Sequence, residues 1–523
     1  MADDPYARRT DRVTAGPVVL VFSLLALRNF LHKPWRSALL FLGFGMGVSV
    51  MIVLLSIGEA MVTQAKDERL VGGGDVTVLP EGIDIEVMKT GGLGGLYFSI
   101  ANARWLYLQL LAAPRLARSV RAVAPQSEGK LLYLTTPDGA EHTVRASGDI
   151  PSSTAAVGAT PGLAAGEWRD DSADRRWTRP TRAELEADID HFHLPAAGLA
   201  NRKSWAEWHY FNVVSSDRRR WAFITFMLAG EVPDGQWGGR VLITTHEAPA
   251  GGGPARERRF TATVPPAGIT YSTTSPDLSI GTSHVTLLPD GRYAIAAAAQ
   301  EEGRRRGRVR VDLVVDPVPG AYFPGTAIET GDFASGYTVP GLEANATGTL
   351  CVDAACEHLD GVQSYHDHNW GVWKGVTWEW GSARAGSYGL LYGRVQPPDS
   401  LGTSAPLFVY LVDTLGFRAV FRPSEIEYDD ARVIRAGGRE LHVPASAVMT
   451  DIRGSDSLRV ELDVEDAVAT DTRGQFIERG EGEEARRLVH PYFIQMKGRA
   501  RLSGRVGGEP ISGEGTGFFE TYR

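Results

Sequence analysis

Cysteine is nearly absent: 523 residues contain two, Cys351 and Cys356. That excludes a disulfide-dense scaffold and a cysteine-built zinc fold. The two are separated by Val352-Asp353-Ala354-Ala355. Such closeness around a turn allows a hairpin disulfide in an oxidising compartment, and two buried free thiols are the other reading. Neither Cys-x-x-Cys nor His-Glu-x-x-His occurs, and there is no Gly-rich Walker loop, so the chain does not hydrolyse ATP by itself. A surplus of positive charge is missing too. Net charge is −9, and Arg218-Arg219-Arg220 and Arg304-Arg305-Arg306 sit beside turn signals. They read as solvated turns, and no nucleic-acid partner is expected.

Long apolar runs are equally scarce. Only Ser37–Ile57, 21 residues without a charge, is long enough to span a bilayer as a helix. Six basic residues precede it: Arg8, Arg9, Arg12, Arg28, Lys33 and Arg36. By the positive-inside rule the N-terminus stays cytoplasmic, giving a single-pass protein of the cell membrane with its C-terminal domains extracytoplasmic. A cleaved signal peptide fits less well, because its apolar region is shorter and no clear small-x-small site follows. Val18–Ala26 is apolar but too short to span, and reads as an interfacial segment.

What is plentiful is turn-forming and strand-forming sequence. The chain has 60 glycines, 29 prolines and 43% hydrophobic residues, which suits a loop-rich β protein with a sizeable core. Arg308-Val309-Arg310-Val311-Asp312-Leu313 alternates polar with apolar, as does Leu458-Arg459-Val460-Glu461-Leu462-Asp463-Val464. This period of two marks half-buried strands. Pro289-Asp290-Gly291 reads as a hairpin turn. The C-terminal half is therefore expected to be all-β, a barrel or sandwich. Gly91-Gly92-Leu93-Gly94-Gly95 reads as a loop and Gly166–Arg182 as a linker.

The densest chemistry is Tyr365-His366-Asp367-His368-Asn369-Trp370-Gly371, with Trp373 and then Trp378-Glu379-Trp380-Gly381. On a strand, His366, His368 and Trp370 share one face while Asp367 and Asn369 point to the other. A carboxyl beside π-rich walls suits acid chemistry on an apolar substrate, or tight binding of one. A hydrogen-bonded polar ladder inside a barrel is the bland alternative. A metal reading of His366 and His368 needs further ligands that no motif supplies, so neither metal nor cofactor is assigned.

This run resembles the hydroxyneurosporene synthase (carotenoid 1,2-hydratase) family and its lipocalin-like relatives. Trp205-Ala206-Glu207-Trp208-His209-Tyr210-Phe211 resembles the Glu-Trp-Trp-Tyr-Phe element of the same domain, with His209 in place of an aromatic residue. The likeness covers roughly residues 186–523. It implies tandem lipocalin-like β-barrels, over 186–355 and 356–523, with an apolar ligand cavity near their junction.

In a hydratase of this kind an acid protonates a trisubstituted alkene and the cation captures water. Asp367 is the expected donor, with His366 and His368 tuning it or placing water. Tyr365, Trp370, Trp378, Trp380, Tyr392, Arg394, Glu207, Trp208 and Tyr210 are the expected ligand contacts. The resemblance implies a further acid on a later strand, where this chain reads Tyr392-Gly393-Arg394. Arginine is no useful proton donor at neutral pH. The leading expectation is therefore a non-catalytic module that binds an isoprenoid or lipid-like molecule, with the hydratase second and a related cyclase third.

The N-terminus has its own resemblance. Leu25-Ala26-Leu27-Arg28-Asn29-Phe30-Leu31 and Pro34-Trp35-Arg36-Ser37-Ala38-Leu39, with Gly74-Asp75-Val76-Thr77-Val78-Leu79-Pro80 after the apolar run, resemble the start of macrolide-export and lipoprotein-release ABC permeases. This implies an anchor over 1–58, a small α/β permease-like extracytoplasmic segment over 59–185, and transporter subunits as partners.

Overall fold

The computed structural model describes residues 34–65, 100–112, 114–116, 119–158, 168–250, 255–303, 307–330, 333–397, 406–471 and 492–523, with a few single positions before residue 34. Arg304-Arg305-Arg306, Gly74–Pro80, Gly91–Gly95 and most of Val18–Leu31 lie outside the described residues. The chain divides into two units, Met1–Tyr97 with Thr154–Ala164, and Phe98–Ser153 with Ala165–Arg523.

In the first unit the described structure is dominated by helix α1 (Pro34–Ala65). Its stretch Pro34–Ile57, 24 residues, is long and apolar enough to cross a membrane. At ~1.5 Å per residue it exceeds the ~30 Å hydrocarbon core.

The second unit is mainly β, behind a helical entry. Helix α2 (Ile100–Ala112) and the hairpin β1 (Gln126–Thr135) and β2 (Glu141–Asp149) precede helices α3 (Ser172–Thr178) and α4 (Arg182–Ile189). The Gly166–Arg182 stretch is thus no linker in its described part. Asp171 with Asp174, and Thr181 with Glu184, form two capping boxes that start α3 and α4. Arg104 of α2 ties these helices together, donating to the Trp177 carbonyl at 2.8 Å and pairing with Asp188 at 2.8 Å.

The strands that follow are β3 (Trp205–Val214), β4 (Arg220–Gly230), β5 (Trp237–Glu247), β6 (Arg256–Val264), the short β7 (Ile269–Tyr271), β8 (Leu278–Ile280) and β9 (Ser283–Leu287), then β10 (Tyr293–Glu301), β11 (Arg308–Pro317), β12 (Phe323–Thr330), β13 (Phe333–Val352) and β14 (Ala355–Val372). Neighbours pair antiparallel in the order β11-β13-β14-β3-β4-β5-β6-β10, and β10 pairs back to β11, closing an eight-stranded barrel. The turn at Pro289-Asp290-Gly291 joins β9 to β10, with Gly291 at φ +81° where a side chain would strain the backbone. Cys351 and Cys356 face each other across β13 and β14 and form a disulfide.

The second sheet holds β15 (Thr377–Ala385), β16 (Tyr388–Gln396), β17 (Phe408–Asp413), β18 (Gly416–Phe421), β19 (Glu427–Asp429), β22 (Ser446–Arg453), β23 (Asp456–Asp471), β24 (Tyr492–Val506) and β25 (Glu509–Tyr522); a separate hairpin, β20 (Arg432–Ala436) and β21 (Arg439–Val443), lies between β19 and β22 in the chain. Its order is β18-β17-β16-β15-β25-β24-β23-β22-β19, and among the described residues the edges β18 and β19 do not pair. It is a half-barrel, not a second closed barrel. The division between the sheets also differs from 355/356. The Cys351–Cys356 hairpin is internal to the first barrel, because β14 pairs along its length with β13 and β3, and the second sheet starts only at Thr377.

Alternation fills three cores. Phe211, Ile224, Phe226, Val241 and Val311 pack inside the barrel. Leu390, Val409, Val460 and Ile494 pack on the inner face of the half-barrel. Tyr210, Phe223, Tyr365, Trp380, Tyr410 and Phe518 form an aromatic layer between the two sheets.

Candidate functional site

Two neighbouring strands, β3 and β14, carry nearly all the polar chemistry, and pleating sorts it into two compartments. Their register places His368 opposite His209 and Asp367 opposite Tyr210. Consecutive side chains point to opposite faces of a sheet. His366, His368 and Trp370 therefore enter the closed barrel with Glu207 and His209, while Tyr365, Asp367 and Asn369 face the aromatic layer with Trp208 and Tyr210.

Inside the barrel the polar groups meet Asp190, the residue that ends helix α4. A carboxylate at a helix C-terminus opposes the helix dipole. Here three imidazoles offset it. His366 Nε2 lies 3.0 Å from Asp190 Oδ2, His368 Nδ1 2.6 Å from Oδ1, and His209 Nδ1 3.6 Å from Oδ1. The Tyr293 hydroxyl donates to Asp190 Oδ2 at 2.8 Å. Burial alone would raise the Asp190 pKa, yet His209, His366 and His368 together hold it well below the usual carboxylate range. For His368 burial opposes charge, but Asp190 and Glu207 push it up to about 9. His368 Nε2 is 3.1 Å from Glu207 Oε1 yet out of line for a hydrogen bond, so that contact is one of charge. Glu207 Oε1 instead accepts from the backbone N–H of His193 at 2.6 Å, and the His193 ring stacks on Trp370. Among the described residues two groups have the composition of metal sites, Asp190-His209-His366 and His193-Glu207-His368, each with its ligand atoms within 4.8 Å of one another.

On the other face, a cavity of about 250 Å³ opens between the sheets. Trp208, Tyr210, Trp373, Trp378 and Trp380 line it with Asp367, Asn369 and Glu520. Both oxygens of Asp367 accept hydrogen bonds, from the Tyr365 hydroxyl at 2.7 Å and the Asn369 amide at 2.6 Å. Trp380 Nε1 donates to the Tyr365 oxygen at 2.9 Å, which turns that hydroxyl toward Asp367. Burial pushes the Asp367 carboxyl up to about 8 against these donors, with the Glu520 charge adding to the rise. Glu520, on β25, accepts from Trp378 Nε1 at 2.9 Å and Gln495 Nε2 at 3.2 Å. Burial pushes it up to about 7. Two carboxyls with raised pKa values thus share one aromatic cavity.

Several sequence expectations are redistributed. Asp367 lies on the opposite face of the sheet from His366 and His368, with which the sequence groups it. Of the expected ligand contacts, Trp208, Tyr210, Trp378 and Trp380 line the cavity and Tyr365 stands behind Asp367. Trp370 and Glu207 belong to the barrel interior; the Trp370 ring lies where a side chain on Gly336 would otherwise sit. Tyr392 is buried in the half-barrel core, and Arg394 donates to Glu379 at 2.6 Å. Sequence reasoning missed Asp190 and Glu520. The first is a lone acid after a short helix. The second sits in Phe518-Phe519-Glu520-Thr521-Tyr522, where an acid amid aromatics on a strand is itself a signal.

No protein-family model matches the chain. No curated protein matches it either. Among solved structures, it is similar to an AttH candidate from Nitrosomonas europaea, at 15% identity over 64% of this chain and 98% of that one, TM-score 0.41. Kievitone hydratase from Nectria haematococca aligns at 13% identity over 64% and 94% of the two chains, TM-score 0.39. CghA with Sch210972 aligns at 13% over 61% and 88%, TM-score 0.38. Scores this low carry no argument about this chain, and its reading rests on its own geometry.

Proposed function

We propose that this protein binds a lipophilic alkene of isoprenoid type in the cavity between the two sheets and adds water to it, with Asp367 as proton donor. The observation that carries this reading is the placement of Asp367. Its two oxygens are taken up as acceptors by Tyr365 and Asn369, so the proton of the neutral acid has the cavity left to point into. A buried carboxyl kept neutral is what acid catalysis near pH 7 requires.

Asp367 gives its proton to one alkene carbon, the π electrons form the C–H bond, and positive charge rests on the tertiary carbon. The faces of Trp208 and Trp378 steady that cation, worth ~0.5–2 kcal/mol each. Water forms the C–O bond and loses one proton to Glu520. The products balance as alkene plus water to tertiary alcohol, and Asp367 regains its proton from Glu520 through cavity water. A volume of about 250 Å³ falls just under the ~300–1,000 Å³ of drug-sized sites. It suits a short isoprenoid or the end of a longer one. Helix α1 serves in this reading as a single membrane span that holds the β unit on the extracytoplasmic side, next to a membrane-dissolved ligand.

Carriage without turnover is the second reading, favoured by that anchor helix. Detergent-solubilised full chain incubated with short isoprenoid alkenes in ¹⁸O-water separates the two. An ¹⁸O-labelled tertiary alcohol supports hydration. Tight binding with no label incorporated leaves a lipid carrier, and no binding at all removes the cavity from the functional account.

A further inference from the structure

The barrel interior takes no part in the chemistry proposed for the cavity, yet Asp190, His209 and His366 converge there and leave His209 Nδ1 without a hydrogen-bond partner. His366 Nδ1 is 3.0 Å from the Tyr210 carbonyl oxygen. A carbonyl only accepts, so Nδ1 carries the proton. His209 Nε2 is 2.9 Å from the Pro276 carbonyl oxygen, and the same reasoning puts the proton on Nε2. A neutral imidazole has one N–H. The lone pairs of His366 Nε2 and His209 Nδ1 are therefore turned inward, toward the Asp190 carboxylate at 3.0 and 3.6 Å.

In those neutral forms both nitrogens meet only an acceptor, and Asp190, His209 and His366 are all at 0% exposure, away from bulk water. A second proton on His366 would relieve one of these contacts. It would not relieve the other: His209 Nδ1 has no hydrogen-bond partner, and 3.6 Å is too long to be one. His368 differs, because its Nδ1 bonds Asp190 at 2.6 Å and its Nε2 faces the Glu207 charge at 3.1 Å.

We propose that Asp190, His209 and His366 bind one Zn²⁺ ion inside the first barrel. Two imidazoles and a carboxylate are a common zinc donor set. In metal-bound histidines the remote ring nitrogen usually donates to a carbonyl or carboxylate, which fixes the tautomer; the Tyr210 and Pro276 carbonyls do that here. The three ligand atoms lie within 4.8 Å of one another. Zinc bonds run about 2.0–2.2 Å, and the Asp190 oxygens at 3.0 Å from His366 Nε2 and 3.6 Å from His209 Nδ1 are near the spacing that one shared ion asks for. The Tyr293 hydroxyl, donating to Asp190 Oδ2 at 2.8 Å, orients the carboxylate. Asp190 comes from the end of α4 and the histidines from β3 and β14, so the ion fastens the helical entry segment into the barrel.

The test uses the detergent-solubilised full chain, purified without metal-affinity resin. Elemental analysis is expected to find about one zinc per chain. His209→Phe keeps the ring and removes the ligand, and should lower the content at least tenfold. His358→Ala, an exposed histidine of β14, should leave it unchanged. Should His209→Phe fail to fold, the wild type still decides. Refolded with Co²⁺, it should show visible d–d absorption, and X-ray absorption at the zinc edge should show two imidazoles among nitrogen and oxygen ligands. Folded wild type that takes up neither Zn²⁺ nor Co²⁺, or a His209→Phe variant that folds with its zinc intact, overturns the proposal.

Discussion

His366 and Asp367 are adjacent in the chain and belong to different compartments. His366 Nε2 lies 3.0 Å from Asp190 inside the barrel, while Asp367 accepts from the Tyr365 hydroxyl at 2.7 Å against the cavity between the sheets. One strand thus serves two purposes on its two faces. Substitutions at neighbouring positions should separate cleanly into effects on the barrel and effects on the cavity.

Asp367→Asn should abolish water addition and retain the ligand. The amide keeps the volume but has no acidic proton. It also replaces one of two acceptor oxygens by a donor, so either Tyr365 or Asn369 loses its partner. A stability loss of ~1–3 kcal/mol follows. Ligand retention by mass spectrometry and turnover with labelled water, read on the same sample, check both parts. Retained turnover would remove Asp367 from its assigned role.

Asp190→Asn acts on the other face. It leaves His368 without its Asp190 counter-charge, and breaking a buried ion pair costs ~3–5 kcal/mol. Chemical denaturation should show that loss. Trp378→Ala, by contrast, removes a cavity wall and should weaken binding of an apolar ligand about tenfold or more, with His366 and His368 undisturbed.

Much of this arrangement was legible in the sequence, and the gaps have physical reasons. Period-two patterning gave the strands at Arg308–Leu313 and Leu458–Val464, and it put His366 and His368 opposite Asp367. Grouping all three as one catalytic unit set sequence proximity above that pleat. Asp190 and Glu520 come from 176 residues before His366 and from the last strand, and lone acids carry no motif that announces such partners. The half-barrel was unforeseen because closure depends on whether two edge strands meet, which no local pattern encodes. The capping boxes at Asp171 and Thr181 were readable and would have replaced a linker by two helices.

Helix α1 predicts membrane attachment. Its 24-residue apolar stretch should hold the full chain in the membrane fraction through alkaline and high-salt washes. Reporter fusions placed after the helix should report the extracytoplasmic side. Release into the soluble fraction without detergent would exclude the anchor.

Glu520 makes the pH dependence of stability testable. Its folded-state pKa is raised from 4.5 to about 7, chiefly by burial, with Trp378 and Gln495 opposing the rise. A carboxyl whose pKa is raised on folding binds its proton more tightly in the folded state. Its contribution is therefore fully present below pH about 4.5 and is lost as pH climbs to about 7. The slope in that window approaches ~1.4 kcal/mol per pH unit. Glu520→Gln keeps the volume and one of the two acceptor oxygens but cannot titrate, so the Glu520 share of this slope should vanish and the variant should gain on the wild type as pH rises. Denaturation series at pH 4, 5.5, 7 and 8.5 on both proteins read the difference directly. If Glu520 also takes the proton from water, turnover by the wild type should climb as Glu520 ionises toward pH 7, and Glu520→Gln should lose activity across the range. A stability difference that does not vary with pH would show that Glu520 is ionised in the folded protein and that its burial costs less than the aromatic cavity implies.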